Sequence, residues 1–262
     1  MLTGAAPMLQ EEISFTTSDG KTIVGILHGP AGESALGAII LCHGMDSSKD
    51  SEKLVAVGRG LATLGFLTLR FDFAYVGESS EKFEDITYSG EVEDLRAACS
   101  FIRDRFSGRI GILGSSMGGT VALLFAAQDP DIAALVTIAA PVHPEAFPRR
   151  ILSPKGLQKW RDRGFTLYNG RLLNLTLLED LEKINVLECA RKIACPLLII
   201  HGDTDEVVPV EEAHELNACA SGKKKLLILK GTDHRLSNPV TMQHAVSETL
   251  DWFTEHIGRR TK

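Results

Sequence analysis

Apolar runs of strand length alternate with helix-length amphipathic stretches along almost the whole chain, and no other feature restricts the fold as much. Strand-like runs fall at residues 36–42, 67–71, 109–113, 134–138, 197–200 and 225–229, with helix-like stretches at 51–64, 90–106, 116–128, 210–219 and 241–256. The second helix is well marked, since Val92, Leu95, Cys99, Ile102 and Phe106 recur at three- and four-residue steps. Right-handed crossovers then give a mainly parallel sheet covered by helices on both faces. The unbroken apolar run 36–42 suits a strand buried on both sides. Before it, residues 13–17 and 22–27 alternate around Ser18-Asp19-Gly20 as an antiparallel hairpin, and Gly29-Pro30-Ala31-Gly32 separates that hairpin from the run. The expected class is α/β, as one domain over residues 1–262.

Open parallel sheets bind ligands at the carboxyl ends of their strands, so the residues just after each strand decide the chemistry. After 36–42 comes His43-Gly44-Met45-Asp46, and after 109–113 comes Gly114-Ser115-Ser116-Met117-Gly118-Gly119. After 197–200 comes His201-Gly202-Asp203-Thr204-Asp205, and after 225–229 comes Lys230-Gly231-Thr232-Asp233-His234. Gly114-x-Ser116-x-Gly118 between a strand and a helix is a turn so tight that only small residues fit beside an exposed serine. Alone the pattern is weak, because the chain holds 24 glycines. It gains force from an Asp and a His that follow in order. A serine hydroxyl needs an imidazole to take its proton, and a carboxylate fixes the imidazole tautomer.

These motifs, with Phe71-Asp72-Phe73 to Gly77-Glu78-Ser79 and His201-Gly202-x-x-Asp205-x-x-Val208-Pro209, resemble those of the α/β-hydrolase superfamily over nearly the whole chain. The group it looks most similar to is the compact bacterial carboxylesterases of the cinnamoyl/feruloyl-esterase and serine-aminopeptidase-like kind. The resemblance implies a serine esterase without metal or organic cofactor. Ser116 takes the place of the nucleophile, His234 that of the base and Asp205 that of the acid, and the backbone N–H groups of Met45 and Met117 form the oxyanion hole. One departure stands out: Asp72-Phe73-Ala74-Tyr75-Val76-Gly77-Glu78-Ser79 replaces the first Gly and the His of the usual Asp-x-x-Gly-His-Gly-x-Ser. Loss of that Gly is expected to alter the loop backbone, with Tyr75 on one wall of the pocket.

Plainer roles compete for some of these residues. Ser116 could cap a helix, and Asp233 is a rival acid whose side chain should diverge from that of His234. Asp203 is expected to bond its own turn, and His43 and His201 to order their loops. Lys223-Lys224-Lys225 reads as a solvated turn.

After residue 138 the next sheet strand is delayed by more than fifty residues, far beyond a usual crossover. The extra segment, about 142–186, contains Phe165 to Leu173 around Asn169-Gly170, which reads as a small hairpin with a type I′ turn. In the resembled family an insertion here forms a cap, which makes Trp160 and Tyr168 candidate substrate contacts. Between Arg149 and Arg171, the basic residues Arg149, Arg150, Lys155, Lys159, Arg161, Arg163 and Arg171 stand against only Asp162. They either attract anionic esters or pair with an acidic body.

The net charge of −6 argues against nucleic-acid binding. The start Met1 to Pro7 lacks the basic and apolar stretches of a signal peptide, and no run reaches the ~18 residues of a membrane span, so a cytoplasmic protein is expected. Five cysteines without CxxC or metal spacing read as buried thiols. A small-molecule ester is the expected partner. The alternatives are a thioester, peptide or lipid monoester cleaved by the same three residues, or a non-catalytic binder on the same scaffold.

Overall fold

The computed structural model describes residues 8–30 and 35–258. The expectations for Met1 to Pro7 and for Ala31-Gly32 lie outside the described residues. An antiparallel pair, β1 (Met8–Thr16) and β2 (Thr22–Pro30), leads into the sheet, with Thr17 and Gly20 closing the turn through the Gly20 N–H to Thr17 O bond of 3.0 Å. There follow β3 (Ala38–Cys42), α1 (Glu52–Thr63), β4 (Leu67–Asp72), α2 (Tyr88–Arg103), β5 (Ile110–Ser115), α3 (Met117–Ala126) and β6 (Ile132–Ile138). The sheet is completed by β9 (Leu197–Gly202), α8 (Val210–Cys219), β10 (Lys224–Leu229) and α9 (Pro239–His256).

Strand order is β1-β2-β4-β3-β5-β6-β9-β10. The β1–β2 and β2–β4 pairs are antiparallel and all others are parallel, so β3, β5, β6, β9 and β10 end at one rim. Alternate residues of these buried strands feed two cores. Ile39, Leu41, Leu113, Val136, Leu198 and Ile200 pack beneath α1 and α9, while Ile40, Cys42, Ile112, Leu135 and Ile199 pack beneath α2, α3 and α8. Helix α2 begins two residues before the expected start because the Thr87 hydroxyl accepts the Gly90 N–H at 3.1 Å and caps it.

Between β6 and β9 lie α4 (Phe147–Ile151), α5 (Pro154–Arg163), the hairpin β7 (Phe165–Tyr168) and β8 (Arg171–Asn174), α6 (Leu175–Leu181) and α7 (Val186–Lys192). Asn169 and Gly170 adopt φ of 48° and 77°, the two positive angles a type I′ turn requires. Of the basic residues in the segment, Arg150 pairs with Glu212, Arg161 with Glu182 at 2.5 Å and Arg171 with Asp46. The charges therefore act in part as ties to acidic neighbours.

Three expectations need correction. Lys224 and Lys225 do not form a turn: they are the first residues of β10, and Lys223 and Lys225 pair with Glu255 and Glu248 of α9 at 2.7 and 2.5 Å. Among the five free cysteines only Cys42 and Cys99 are buried, the other three being half-buried. Asp203 reaches the neighbouring strand end, where its Oδ1 accepts the Gly231 N–H at 2.5 Å. Among the described residues no helix is long and apolar enough to cross a membrane.

Candidate active site

Ser116 stands between β5 and α3 with φ of 53° and ψ of −125°, a conformation that side chains disfavour and that costs of order 1–3 kcal/mol. From Ile110 to Ala126 it is the one residue that is not buried. The glycines around it permit the turn. A Cβ on Gly114 would lie 2.1 Å from Gly118 O, and one on Gly118 would lie 2.3 Å from His43 O, so the end of β5, the start of α3 and the loop after β3 interlock through bare backbone. Gly44 presses on the serine itself, since its Cβ would sit 3.0 Å from Ser116 Cβ.

The loops after β9 and β10 bring Asp205 and His234 to the same rim. His234 Nδ1 lies 2.8 Å from Asp205 Oδ2 and donates to it, which leaves Nε2 to accept from the Ser116 hydroxyl at 3.0 Å. The Asp205 side chain has no solvent exposure, and its Oδ1 accepts the N–H groups of Val207 and Val208, each at 2.8 Å. Burial pushes this carboxyl up, but hydrogen bonds from His201, His234 and Val208 outweigh it and hold the group well below the usual carboxylate range. Asp233 turns away: its Oδ1 accepts the Ser237 N–H at 2.8 Å.

The first residues of α3 offer the Met117 N–H beside Ser116, at the positive end of the helix. On the other side, the loop carrying Met45 is fixed by His43. The Phe73 N–H donates to His43 Nε2 at 3.1 Å, so Nδ1 carries the proton and donates to Gly44 O at 2.8 Å. Burial holds this imidazole below the ordinary histidine range and so neutral.

The other sequence candidates have partners of their own. Tyr75 is buried with its hydroxyl bonded to Thr87 at the start of α2, and Tyr75 is not among the residues with positive φ. Trp160 is 1% exposed in the core, and Tyr168 packs edge-on against Phe147 with ring centroids 5.4 Å apart. None of their hydrogen bonds or ring contacts reaches Ser116, Asp205 or His234. Two neighbours were not foreseen. Lys53 Nζ of α1 donates to Ser115 Oγ at 3.0 Å, and burial pulls this ammonium down to about 8. The hairpin residues Asn169 and Arg171 hold Asp46, next to Met45. No local pattern marks either, because each joins residues far apart in the chain. Among the described residues no three His, Cys, Asp or Glu side chains gather as a metal site.

Known proteins resemble this chain in sequence or in fold. A thermostable monoacylglycerol lipase of Bacillus sp. (strain H-257) is 26% identical over 243 residues, covering 88% of this chain and 93% of the lipase. The human mitochondrial palmitoyl-protein thioesterase ABHD10 is 25% identical over 230 residues, 81% of this chain and 72% of that one. Est1E from Butyrivibrio proteoclasticus with ferulic acid bound superposes with a TM-score of 0.83 at 24% identity, over 94% of this chain and 100% of Est1E, and shows the same fold. The esterase domain of a Rhodothermus marinus protein superposes with a TM-score of 0.75 at 27% identity, over 95% of this chain and 100% of the domain. Residues 60–260 match the model of the prolyl oligopeptidase family, and the chain belongs to that family as a hydrolase of the α/β-hydrolase fold.

Proposed function

We propose that the chain is a serine esterase working through Ser116, His234 and Asp205. The observation that carries this reading is the continuous hydrogen-bonded line from Ser116 Oγ through the imidazole to a buried, ionised carboxylate. The Ser116 oxygen attacks the ester carbonyl while His234 Nε2 takes its proton, and the oxyanion is met by the Met45 and Met117 N–H groups. His234 returns the proton to the departing alcohol. Water, deprotonated by the same nitrogen, then releases the acid. Asp205 holds the tautomer and stabilises the imidazolium. A dehalogenase or epoxide hydrolase would need a carboxylate where Ser116 stands. The segment between β6 and β9 acts as a cap on a single domain; Trp160 and Tyr75 are buried and Tyr168 packs on Phe147, so none of the three carries the reading of its pocket.

The same three residues serve a second reading, in which the bond is a thioester or lipid monoester. The similarity to a monoacylglycerol lipase and a palmitoyl-protein thioesterase favours testing long acyl chains. Hydrolysis of p-nitrophenyl esters of rising acyl length, methyl ferulate, a monoacylglycerol and an acyl thioester, by wild type and Ser116→Ala, separates the readings. Turnover falling on the order of 10⁴- to 10⁶-fold in the variant supports the reading. No turnover on any substrate, with no labelling by a fluorophosphonate, would leave a binding protein instead.

A further inference from the structure

Asp46 follows Met45 on the loop after β3, and both of its carboxylate oxygens are held by the tip of the β7–β8 hairpin. Oδ2 accepts from Asn169 Nδ2 at 3.0 Å, and Oδ1 pairs with the Arg171 guanidinium. The type I′ turn fixes these two residues on either side of Gly170. Arg171 Cζ also lies over the Phe83 ring, 3.4 Å from its centroid, and Asn174 Nδ2 donates to Asp85 Oδ1 at 2.7 Å. The hairpin therefore spans the loop after β3 and the loop after β4.

Met45 is thus bracketed. On its amino side Gly44 is pinned against Ser116, and its carbonyl accepts from His43 Nδ1 and from the Ser47 N–H at 3.1 Å. On its carboxyl side Asp46 is fixed by a separate piece of the chain, more than a hundred residues later. A backbone N–H that must meet an oxyanion tolerates little displacement, and about 1 Å of misplacement can lower a rate about 100-fold. An exposed ion pair of this kind adds little to stability, and Arg171 and Asp46 retain 44% and 26% exposure. What the contact does control is where the residue after Met45 sits.

Resting on the esterase reading above, we propose that Arg171 and Asn169 are positioning residues that act through Asp46 to hold the Met45 N–H where the oxyanion forms. The hairpin and the oxyanion hole are then set together: the hairpin in place makes the loop competent, and the hairpin displaced leaves Met45 unconstrained on one side.

The test uses the full chain and the variants Arg171→Ala, Asn169→Ala, Arg171→Lys and Asp46→Asn, the last nearly isosteric and a safeguard should the alanine variants fold poorly. For each, kcat and KM on a short p-nitrophenyl ester are compared with the inhibition constant of a trifluoromethyl ketone, which becomes a tetrahedral oxyanion when Ser116 adds to it. The expected result is a fall in kcat of about 10- to 100-fold with KM within about threefold. Inhibitor affinity falls by the same factor, Arg171→Lys is partly restored, and Arg171→Ala with Asp46→Asn is no worse than either alone. A change confined to KM, or a kcat loss with inhibitor affinity intact, overturns the proposal. If wild type shows Ser116-dependent turnover and Arg171→Ala keeps its kcat, this proposal alone falls; if wild type turns over no ester, the esterase reading falls and takes the proposal with it.

Discussion

His201 lies by its Nε2 3.2 Å from Oδ2 of Asp205, the same oxygen that faces His234 Nδ1 at 2.8 Å. The His201 N–H also donates to Val208 O at 2.9 Å, so one buried imidazole ties the acid to the backbone of its own loop. Asp205 is therefore held from both sides, and its ionised form is favoured before any substrate arrives.

That arrangement makes a pH prediction. Because the Asp205 pKa is depressed by folding, the group adds stability above its unfolded value of about 4, and this is lost as pH falls through the folded value. His201→Phe removes one donor, so the depression shrinks and acid unfolding should begin at higher pH, with a loss of about 1–3 kcal/mol at neutral pH. Tryptophan fluorescence followed from pH 6 to pH 2 checks this. Superimposable curves for variant and wild type would refute it.

Gly118→Ala should fail where an ordinary helix would welcome alanine. The new methyl would lie 2.3 Å from His43 O and 2.7 Å from Cys42 O, and neither backbone atom can swing aside. The start of α3 must then move from the end of β3, at a cost of about 1–3 kcal/mol and with the Met117 N–H carried along. Thermal melting and kcat should fall together; a variant with wild-type melting and kcat would show that the interlock has slack.

These two sites mark how far the sequence could be read. The order of strands and helices and the residues at the rim were legible because buried strands need continuous apolar runs and a serine elbow needs its glycines. Gly114, Ser116, Gly118 and His234 stand out at strand ends, whereas Asp205 was preferred over Asp233 through the family pattern. The helices α4, α5 and α6 were not, since they are short and pack only in part, leaving weak periodicity. Nor could the links Arg171–Asp46, Lys53–Ser115 and Arg150–Glu212 be seen, because pairing across the fold leaves no local signal. Tyr75 was expected to shape the pocket through its loop. Its hydroxyl instead meets Thr87, a partner that only the packing of α2 supplies.

Glu212 predicts how the segment after β6 is anchored. Its buried carboxylate accepts the N–H groups of Val142 and His143 at 2.7 and 3.0 Å through Oε2, and pairs with Arg150 through Oε1. Arg150→Met would leave that charge buried with the two amides alone. A loss of about 1–3 kcal/mol is expected, less than for a fully buried pair because Arg150 is partly exposed. Adding Glu212→Gln should recover part of it, since the amide oxygen can still accept from the backbone. Chemical denaturation of the two single variants and the double gives the coupling, and strict additivity would deny the pair.

Asp94 and Glu91 face inward from α2 with no exposure. Asp94 Oδ2 accepts the Ala74 N–H at 2.9 Å, while, among the described residues, its Oδ1 and both Glu91 oxygens have no hydrogen-bond partner. Burial raises the Asp94 carboxyl to about 6 and Glu91 well above the usual range, with Asp94 adding to the effect on Glu91. For Asp94 the folded state binds its proton more tightly than the unfolded chain, whose value is about 4. The contribution to stability is therefore greatest below about pH 4, falls as pH rises to about 6, and stays low above that. Asp94→Asn keeps an oxygen for Ala74 and removes the titration. At pH 8 it should be more stable than wild type by about 1–3 kcal/mol, and at pH 4.5 the gap should shrink by more than half. Melting temperatures of the two proteins at both pH values decide the matter: a gap of equal size at pH 4.5 and pH 8, or none at pH 8, would mean that Asp94 is no more reluctant to ionise in the folded protein than in the unfolded chain.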